Sequence, residues 1–290
     1  MTRKPRQKKR PVQSSEAIFR RTLWRWWKTH RRNFPWRNTT DPYAILVSEI
    51  MLQQTQAERV VGYYERFLKQ YPTAMALAEA RQSEVVRLWS GLGYNRRARN
   101  LHQAAKAFNE QWFSQSLSFE QLIALPGVGG YTARAALAFA YNKPAAPVDT
   151  NIARIYTRHF GKRATGDLQG FADRMVPPGR SRDWSGMLMD FGALVCTANH
   201  PDCEMLGLRH VAEVAPKRQQ AAFRDSDRFW RGRIVEVLRS EREPMTVAGI
   251  RRAAEGLGTT TLPKERAERL ITGLAGEGLI HRERSRIMLA

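Results

Sequence analysis

The sequence predicts a mainly α-helical protein with a small winged-helix-like module at its C-terminal end. From about residue 16 to residue 213, apolar residues recur at helical spacing, and there is no run of alternating β-branched residues. Residues 228–290 are predicted to form three helices followed by a short ribbon, which is the outline of a winged helix-turn-helix. A generic helical cap or protein-binding module is the alternative for this last segment.

The helices are predicted from apolar spacing and capping residues, taken in chain order. A first helix follows Ser15 and carries Leu23 and Trp26 on its apolar side, and the segment 42–71 is apolar at helical spacing throughout. Further helices are predicted at residues 82–90, 96–110, 118–125, 130–141, 149–160, 168–175 and 183–195.

Composition also predicts the domain boundaries. Residues 1–15 are basic and polar with almost nothing to bury, so we expect a disordered arm, and the polar stretch 214–227 is predicted to be a linker. A helical domain would therefore span residues 16–213. In the last segment, 228–290, one helix is predicted at 228–240, a second begins at Thr246 as N-cap, and a third spans 263–275.

The net charge points to a nucleic acid as partner. Lys and Arg number 48 against 27 Asp and Glu, a net charge of +21, and 13 of the basic residues fall within the first 37 positions. Such an excess is expected of a protein that binds a phosphate backbone, although a solvated basic surface is the plainer alternative.

Other classes of protein are disfavoured by the same inventory. No apolar stretch approaches the roughly 20 residues that span a bilayer, and the first residues lack the apolar segment of a secretory signal. Two cysteines argue against a disulfide scaffold and fit a reducing cytoplasm, so we expect a cytoplasmic, nucleoid-associated protein. No oligomer interface is legible, and a monomer is expected.

The sharpest local signal is the turn Leu125-Pro126-Gly127-Val128-Gly129 between two helices. Proline and two glycines force a tight turn, and the main-chain amides at the start of the next helix favour an anion. This is the helix-hairpin-helix arrangement that holds a DNA phosphate without reading sequence. A simple corner between two helices is the alternative.

Several motifs occur in a fixed order between about Phe34 and Cys203. They are FPWR at 34–37, DPY at 41–43, SEIMLQQTQ at 48–56, GLGYNRRARNL at 91–101, LPGVGGYTA at 125–133 and VDTNIARI at 148–155. In this order they resemble the endonuclease III superfamily of base-excision glycosylases, in particular its adenine and G·T mismatch branches. The resemblance implies a two-lobed helical helix-hairpin-helix glycosylase fold that acts on double-stranded DNA with a mispaired or damaged base.

The resemblance implies roles for three catalytic candidates. Asp149 would stabilise the positive charge that develops on the sugar, and Glu49 would protonate the departing base. A simple helix N-cap and a surface glutamate are the alternative roles of these two acids. At position 131 the bifunctional branch carries a lysine that attacks the sugar, whereas this chain has Tyr131. We therefore expect a glycosylase that uses water, without strong β-lyase activity.

Base flipping leaves a gap in the duplex that a side chain must fill. Gln54 matches the wedge position of the family, and Tyr94 is a second candidate, although Asn95 stands where the adenine branch has a second tyrosine. The remaining DNA-binding candidates are Leu52, Arg97, Gly127, Val128, Gly129, Gly130 and Thr132.

The iron–sulfur cluster of many family members is expected to be absent, and no cofactor is predicted. Only Cys196 and Cys203 fit the spacing of the four cysteine ligands, and the other two positions hold Leu206 and Ala212. A lesser alternative is a zinc site built from Cys196, His200, Cys203 and His210. The C-terminal segment also does not resemble the β-rich domain of adenine glycosylases.

The sequence therefore predicts a monofunctional glycosylase, with adenine opposite guanine or oxidised guanine as the favoured substrate. The stretch 34–50 also resembles the G·T mismatch branch, so thymine or uracil opposite guanine is the alternative substrate. A DNA-binding protein without catalytic activity is the alternative from another class.

Overall fold

The computed structural model describes residues 15–107, 117–214, 223–257 and 260–290. The predicted basic arm up to residue 14, and residues 215–222 of the predicted linker, lie outside these ranges. The helices are α1 (Ser15–His30), α2 (Pro42–Leu52), α3 (Ala57–Gln70), α4 (Ala74–Glu79), α5 (Gln82–Leu88), α6 (Arg96–Ala107), α7 (Phe119–Ile123), α8 (Gly130–Phe139), α9 (Thr150–Phe160), α10 (Lys162–Thr165), α11 (Leu168–Met175), α12 (Ser181–Leu194), α13 (Asp227–Ser240), α14 (Val247–Gly256) and α15 (Lys264–Gly276).

The mainly helical fold is confirmed. Two strands, β1 (Ile280–Glu283) and β2 (Arg286–Leu289), form an antiparallel pair in which Ile280 faces Leu289. No helix within the described ranges is both long and apolar enough to cross a membrane.

The first of two compact units combines residues 15–33 with residues 144–214. Helix α12 packs against both α1 and α9, and the core between them holds the large rings of Phe19, Tyr156, Trp184 and Phe191. Because these side chains are at most 2% exposed, burial of aromatic surface is the main source of stability here.

A buried carboxylate ties the end of α1 to α12. Asp190 has no exposed surface, and its oxygens accept hydrogen bonds from Nε1 of Trp27 and from Nε of Arg32, each at 2.8 Å. Both donors are needed, since an unpaired charge at this depth would be strongly destabilising.

The second unit combines residues 34–143 with the C-terminal segment from residue 223 onward. Helix α2 packs against both α3 and α8, and nine of its eleven residues are buried. The helix starts at Pro42 after the N-cap Asp41, whose carboxylate accepts a hydrogen bond from the amide of Tyr43 at 3.0 Å. A helix that is apolar all round belongs in the interior, as observed.

The segment predicted as one helical stretch from 42 to 71 is two helices. The chain leaves α2 after Leu52 because Gln54 has a φ of 56°, which lies outside the right-handed helical region. A turn follows, closed by the amide of Thr55 donating to the carbonyl of Leu52 at 3.1 Å. The interruption leaves Gln54 exposed, and apolar spacing alone could not reveal it.

The C-terminal segment has the predicted outline of three helices and a ribbon, α13, α14, α15, β1 and β2. The predicted N-cap Thr246 is confirmed, because its hydroxyl accepts a hydrogen bond from the amide of Gly249 at 3.1 Å. Met245 forms an isolated antiparallel bridge with Ile287 of β2. The identification of this segment as a winged helix remains a prediction.

The C-terminal segment is fastened to α5 by two reciprocal arginines. Nε of Arg239 donates to the carbonyl of Val86 at 3.0 Å, and Nε of Arg87 donates to the carbonyl of Arg239 at 3.2 Å. Arg239 also donates to Oδ1 of Asn95 at 2.6 Å. Within this unit the segment is therefore attached by buried polar contacts as well as by apolar packing.

The predicted domain boundaries remain a prediction beside the two compact units. Residues 16–213, predicted as one domain, contribute to both units, and residues 228–290 belong with the second. The assignment of residues 214–227 as a linker stays a prediction.

We predict that Arg239→Leu lowers the free energy of unfolding by about 1–3 kcal/mol, because Val86 and Asn95 lose a charged donor at a buried contact. Urea unfolding followed by circular dichroism measures the change. The exposed Arg242, three positions beyond Arg239, provides the control, and Arg242→Leu should change stability by less than about 0.5 kcal/mol. Equal effects of the two substitutions would contradict the assigned role of Arg239.

Candidate nucleic-acid interface and catalytic site

The predicted hairpin between two helices is present, with α7 and α8 joined by residues 124–129. Gly127 has a φ of 80°, and a Cβ atom built there would lie 2.7 Å from Cβ of Asn100. Both the backbone conformation and the close approach therefore require glycine at this turn. The amide of Val128 closes the turn by donating to the carbonyl of Leu125 at 3.1 Å.

Helix α8 begins at Gly130 with the features of an anion-binding helix start. Its N-cap is Gly129, which has no side chain to accept from the first amides of the helix. Gly127 and Gly129 are exposed, whereas the side chains of Val128 and Thr132 are buried. Of the predicted DNA-binding residues in this hairpin, Val128 and Thr132 can therefore contribute only main-chain groups.

The C-terminal end of α2 lies beside the hairpin. Nε2 of Gln53 lies 3.4 Å from the carbonyl oxygen of Gly127 and 3.4 Å from the hydroxyl of Thr132. The turn that carries Gln54 therefore sits next to the hairpin within the same unit. Leu52, another predicted DNA-binding residue, is half-buried at this junction.

Glu49 lies on α2 with only 4% of its surface exposed. The helix around it is apolar, and its neighbours Ile50 and Met51 are each 1% exposed. The predicted burial of this glutamate is confirmed, and its role as a catalytic acid remains a prediction.

Both predicted wedge residues are held in a backbone conformation that non-glycine residues rarely adopt. Gln54 has a φ of 56° and Tyr94 a φ of 47°. The left-handed region costs roughly 1–2 kcal/mol for such residues. Both side chains are exposed at the surface of the second unit, and backbone strain of this kind tends to cluster at functional sites.

The predicted phosphate contact of Arg97 is not supported, because the structure buries this side chain. Arg97 is 7% exposed. Its two terminal nitrogens lie 2.5–3.3 Å from main-chain and hydroxyl oxygens at the end of α2, in the turn that follows it and in the loop before α6. Burial lowers the pKa of Arg97 to about 10, so the guanidinium stays charged at neutral pH. The acceptors belong to Ile50, Met51, Gln53, Thr55, Leu92 and Gly93.

Arg97 thus joins the two loops that carry the wedge candidates. The 53–56 turn and the 91–94 loop both supply acceptors to one guanidinium. The sequence shows that Arg97 is basic and lies three positions after Tyr94. Its role is decided by burial against residues that are distant along the chain, and local spacing does not predict such contacts.

An open cleft of about 940 Å³ lies between these loops and the C-terminal segment of the second unit. One wall holds Gln54 and Tyr94, and the other holds Arg228 and Arg231 on α13. The cleft has a strongly positive lining. The acidic residues that line it are Glu236 and Glu277, and the basic residues that line it are Arg59, Arg96, Arg97, Arg228, Arg231 and Arg239.

Tyr94 and Asn95 both contact the C-terminal segment. Nη1 of Arg228 donates to the hydroxyl of Tyr94 at 2.9 Å, and Arg239 donates to the amide oxygen of Asn95. Asn95, which departs from the adenine branch, is 9% exposed and is used for this contact. Sequence reasoning missed Arg228 and Arg239, which lie more than 130 residues from their partners.

Asp149, in the first unit, is the N-cap of α9. Its Oδ1 accepts from the amides of Asn151 at 3.0 Å and Ile152 at 2.7 Å, and its Oδ2 accepts from Nδ2 of Asn151 at 2.9 Å. The capping role is confirmed. Because both oxygens are held and the side chain is only half-buried, the carboxylate is oriented and still accessible. Its catalytic role remains a prediction.

A second group of titratable side chains lies in the first unit. Their ligand atoms are all within 4.8 Å of one another, and we call this group, which comprises His159, Cys196, Cys203 and His210, the His/Cys cluster.

The predicted zinc alternative is therefore corrected at one position. His200 is exposed and is not a member of the cluster, and His159, at the end of α9, takes its place. The zinc alternative combined Cys196 and Cys203 with the histidines that are close to them in sequence. His159 lies 37 residues before Cys196 and reaches the cluster only through the packing of α9.

The cluster does not fit a [4Fe–4S] group. A cubane of this kind takes four thiolates, and here the donor set is two thiols and two imidazoles. Leu206, at the third cysteine position, is a partly buried side chain packed against the core. We derive no chemistry from an iron–sulfur group.

Comparison with known proteins confirms the family resemblance. Residues 47–170 match the model of the "HhH-GPD superfamily base excision DNA repair protein". The chain is 37% identical over 238 residues to the adenine DNA glycosylase of Mycolicibacterium smegmatis, covering 77% of this chain and 81% of that protein. It is 35% identical over 208 residues to the thymine/uracil-DNA glycosylase of Methanothermobacter thermautotrophicus, covering 69% and 94%.

A solved structure agrees with these two relatives. A thermostable thymine-DNA glycosylase superposes with a TM-score of 0.62 at 34% identity and covers 67% of this chain and 93% of that one. The hairpin, the buried Glu49 and the capping Asp149 all fall within the matched residues 47–170. The chain therefore belongs to the HhH-GPD superfamily of base excision DNA repair proteins.

Proposed function

We propose that the protein is a DNA glycosylase that removes a mispaired base from double-stranded DNA. The observation that carries this proposal is the pair of exposed, strained residues Gln54 and Tyr94, whose two loops are joined by one buried arginine, with the turn of Gln54 beside the helix-hairpin-helix turn. Two curated relatives with 35–37% identity act, by name, as DNA glycosylases. The positive lining of the cleft supports duplex DNA as the partner.

Flipping a base costs a few kcal/mol, and the vacated space must be filled. Side chains that are already displayed at the surface can enter the duplex without a change in the backbone that carries them. Gln54 and Tyr94 meet this requirement, because their backbone conformation is set by the contacts of Arg97. The hairpin amides would hold the phosphate backbone without reading sequence.

The reaction breaks the bond between C1′ of the sugar and the ring nitrogen of the base. The electron pair of that bond leaves with the base, and Glu49 supplies a proton to the departing ring. Asp149, held by its cap hydrogen bonds, stabilises the positive charge on the sugar while water adds its oxygen to C1′. The proton that this water releases balances the one that Glu49 gave to the base, and Glu49 is reprotonated from solvent. The products are a free base and an abasic site.

Position 131 sets the reaction class. An amine there would form a Schiff base with the sugar, and Tyr131 has no amine. We therefore propose hydrolysis without β-lyase activity.

The favoured substrate is adenine opposite guanine or oxidised guanine, on the basis of the QQTQ run at 53–56. Thymine or uracil opposite guanine is the second candidate, and the relative of that name covers 69% of the chain at nearly equal identity. We expect the protein to act as a monomer.

Substitution of either catalytic acid should reduce excision by about 10²–10⁴-fold, since each removes proton transfer or charge stabilisation in the transition state. Wild type, Glu49→Gln and Asp149→Asn are compared in single-turnover assays on duplexes with A opposite G, A opposite oxidised G, and T or U opposite G. Alkali reveals the abasic sites.

Glu65→Gln is the matched control, because Glu65 is exposed on α3 and should leave the rate unchanged. Excision at A supports the adenine assignment, and excision only at T or U moves the substrate to the alternative. Tight binding without cleavage of any duplex would favour the DNA-binding protein that lacks catalytic activity.

Wild type should form no covalent DNA complex with sodium borohydride, and its strand breaks should appear only after alkali. Tyr131→Lys places an amine at the position of the bifunctional nucleophile and should become trappable. Gel electrophoresis of the borohydride reactions measures this. A borohydride adduct of the wild type would contradict the proposed hydrolytic class.

Gln54→Gly should separate stability from activity. Glycine removes the strain of the left-handed conformation, which costs roughly 1–2 kcal/mol, but it loses more chain entropy on folding. The free energy of unfolding should therefore rise by about 0.5–1 kcal/mol. Excision should slow at the same time, because the wedge is gone. Arg284→Gly is the control, because Arg284 has a φ of 51° in the turn between β1 and β2.

Arg284→Gly should gain stability while keeping the excision rate of the wild type. Urea unfolding and single-turnover excision on the same preparations measure both quantities. An unchanged excision rate in Gln54→Gly would remove Gln54 from the flipping mechanism.

A further inference from the structure

The His/Cys cluster lies where the chain after α12 folds back onto the end of α9. The amide of Val211 donates to the carbonyl of Arg158 at 2.6 Å, and the amide of Leu208 donates to the carbonyl of Cys203 at 3.2 Å. These main-chain bonds bring a loop of residues 195–212 to His159. The cluster therefore joins a loop to a helix that precedes it by 35 residues or more.

The geometry of the cluster is near that of a tetrahedral metal site. Four ligands at zinc bond lengths are about 3.3–3.8 Å apart, as follows from bonds of roughly 2.0–2.3 Å. In this structure every pair of ligand atoms is within 4.8 Å, and the rings of His159 and His210 are centred 5.1 Å apart. An adjustment of about 1 Å or less would bring all four onto one ion.

His159 presents an unsatisfied nitrogen to the cluster. The residue is 8% exposed, and its Nδ1 lies 3.0 Å from the carbonyl oxygen of Arg209. Donation to that carbonyl places the proton on Nδ1 and leaves a lone pair on Nε2. Nε2 is buried and has no hydrogen-bond partner among the residues that the structure describes. This arrangement is typical of a metal-binding histidine, whose second nitrogen donates to a carbonyl.

The sulfur atom of Cys196 is buried and contacts a cationic side chain. Nη1 of Arg158 lies 3.6 Å from its sulfur atom and donates a hydrogen bond to it. A buried cysteine sulfur is among the ligands that zinc takes in proteins.

We propose that the His/Cys cluster binds one zinc ion that fastens the loop 195–212 to the end of α9. Two sulfur and two nitrogen donors that lie close enough to surround one ion favour zinc among the common divalent metals. Two thiolates neutralise the charge of Zn²⁺, and four protein ligands leave no open position for a water molecule. The site is therefore structural, and it is independent of the proposed excision chemistry.

Metal content of the full chain tests the proposal. Protein purified without added zinc or chelator is analysed for zinc and iron by mass spectrometry. A second sample is stripped with chelator under reducing conditions and titrated with zinc chloride against a chromophoric chelator. Cobalt replacement then reports on tetrahedral thiolate coordination through its visible absorption.

Wild type should carry about one zinc per chain, and zinc should raise its melting temperature. His210→Ala removes an exposed ligand, so this variant should fold. Loss of a group that merely contacts a metal ligand lowers metal affinity by about 10–100-fold, and loss of the ligand itself should lower the zinc affinity further. Cys203→Ser should behave likewise. His200→Ala is the matched control, because this nearby histidine lies outside the cluster, and it should bind zinc as the wild type does.

Three results would overturn the proposal. One is a zinc content below about 0.1 per chain together with no response of the melting temperature to zinc chloride. Another is equal zinc affinity in wild type and His210→Ala. The third is a native Cys196–Cys203 disulfide or bound iron in place of zinc.

Discussion

The buried guanidinium of Arg97 is the contact on which the candidate site depends. Burying a charge is expensive unless it is hydrogen-bonded, and here both terminal nitrogens, although not Nε, meet acceptors on two separate loops and at the end of α2. Neither the 53–56 turn nor the 91–94 loop has a regular secondary structure that would fix it. The backbone conformations of Gln54 and Tyr94 are strained, and the intrinsic preferences of these two residues would not maintain them. One charge thus stabilises both loops in the form that displays these side chains.

The segment 94–97 combines three roles within four residues. Tyr94 is displayed in the cleft, Asn95 is bonded to the C-terminal segment, and Arg97 holds the loops together. The departure of Asn95 from the adenine branch then has a structural reason, because its amide oxygen is the acceptor for Arg239. The chain thus uses for internal attachment the position at which the resemblance to the adenine branch implies a second tyrosine.

Local physics made much of this structure predictable, and long-range packing decided the rest. Apolar spacing located the helices, and glycine chemistry located the hairpin at Gly127. The break at 53–56 escaped prediction because apolar residues continue at helical spacing on both sides of it. The role of Arg97 and the membership of His159 depend on contacts with residues up to 51 positions distant along the chain, which no local pattern encodes.

The hydrogen bond between Arg228 and the Tyr94 hydroxyl makes the C-terminal segment a thermodynamic partner of the cleft. A duplex that takes up the Tyr94 ring must exchange this bond for contacts with DNA. Whatever weakens the docking of α13 then lowers the free energy needed to release Tyr94, and DNA that holds Tyr94 weakens the docking of α13 by the same amount. Docking of the C-terminal segment and insertion of Tyr94 into DNA are thus reciprocally coupled through the hydroxyl group of Tyr94.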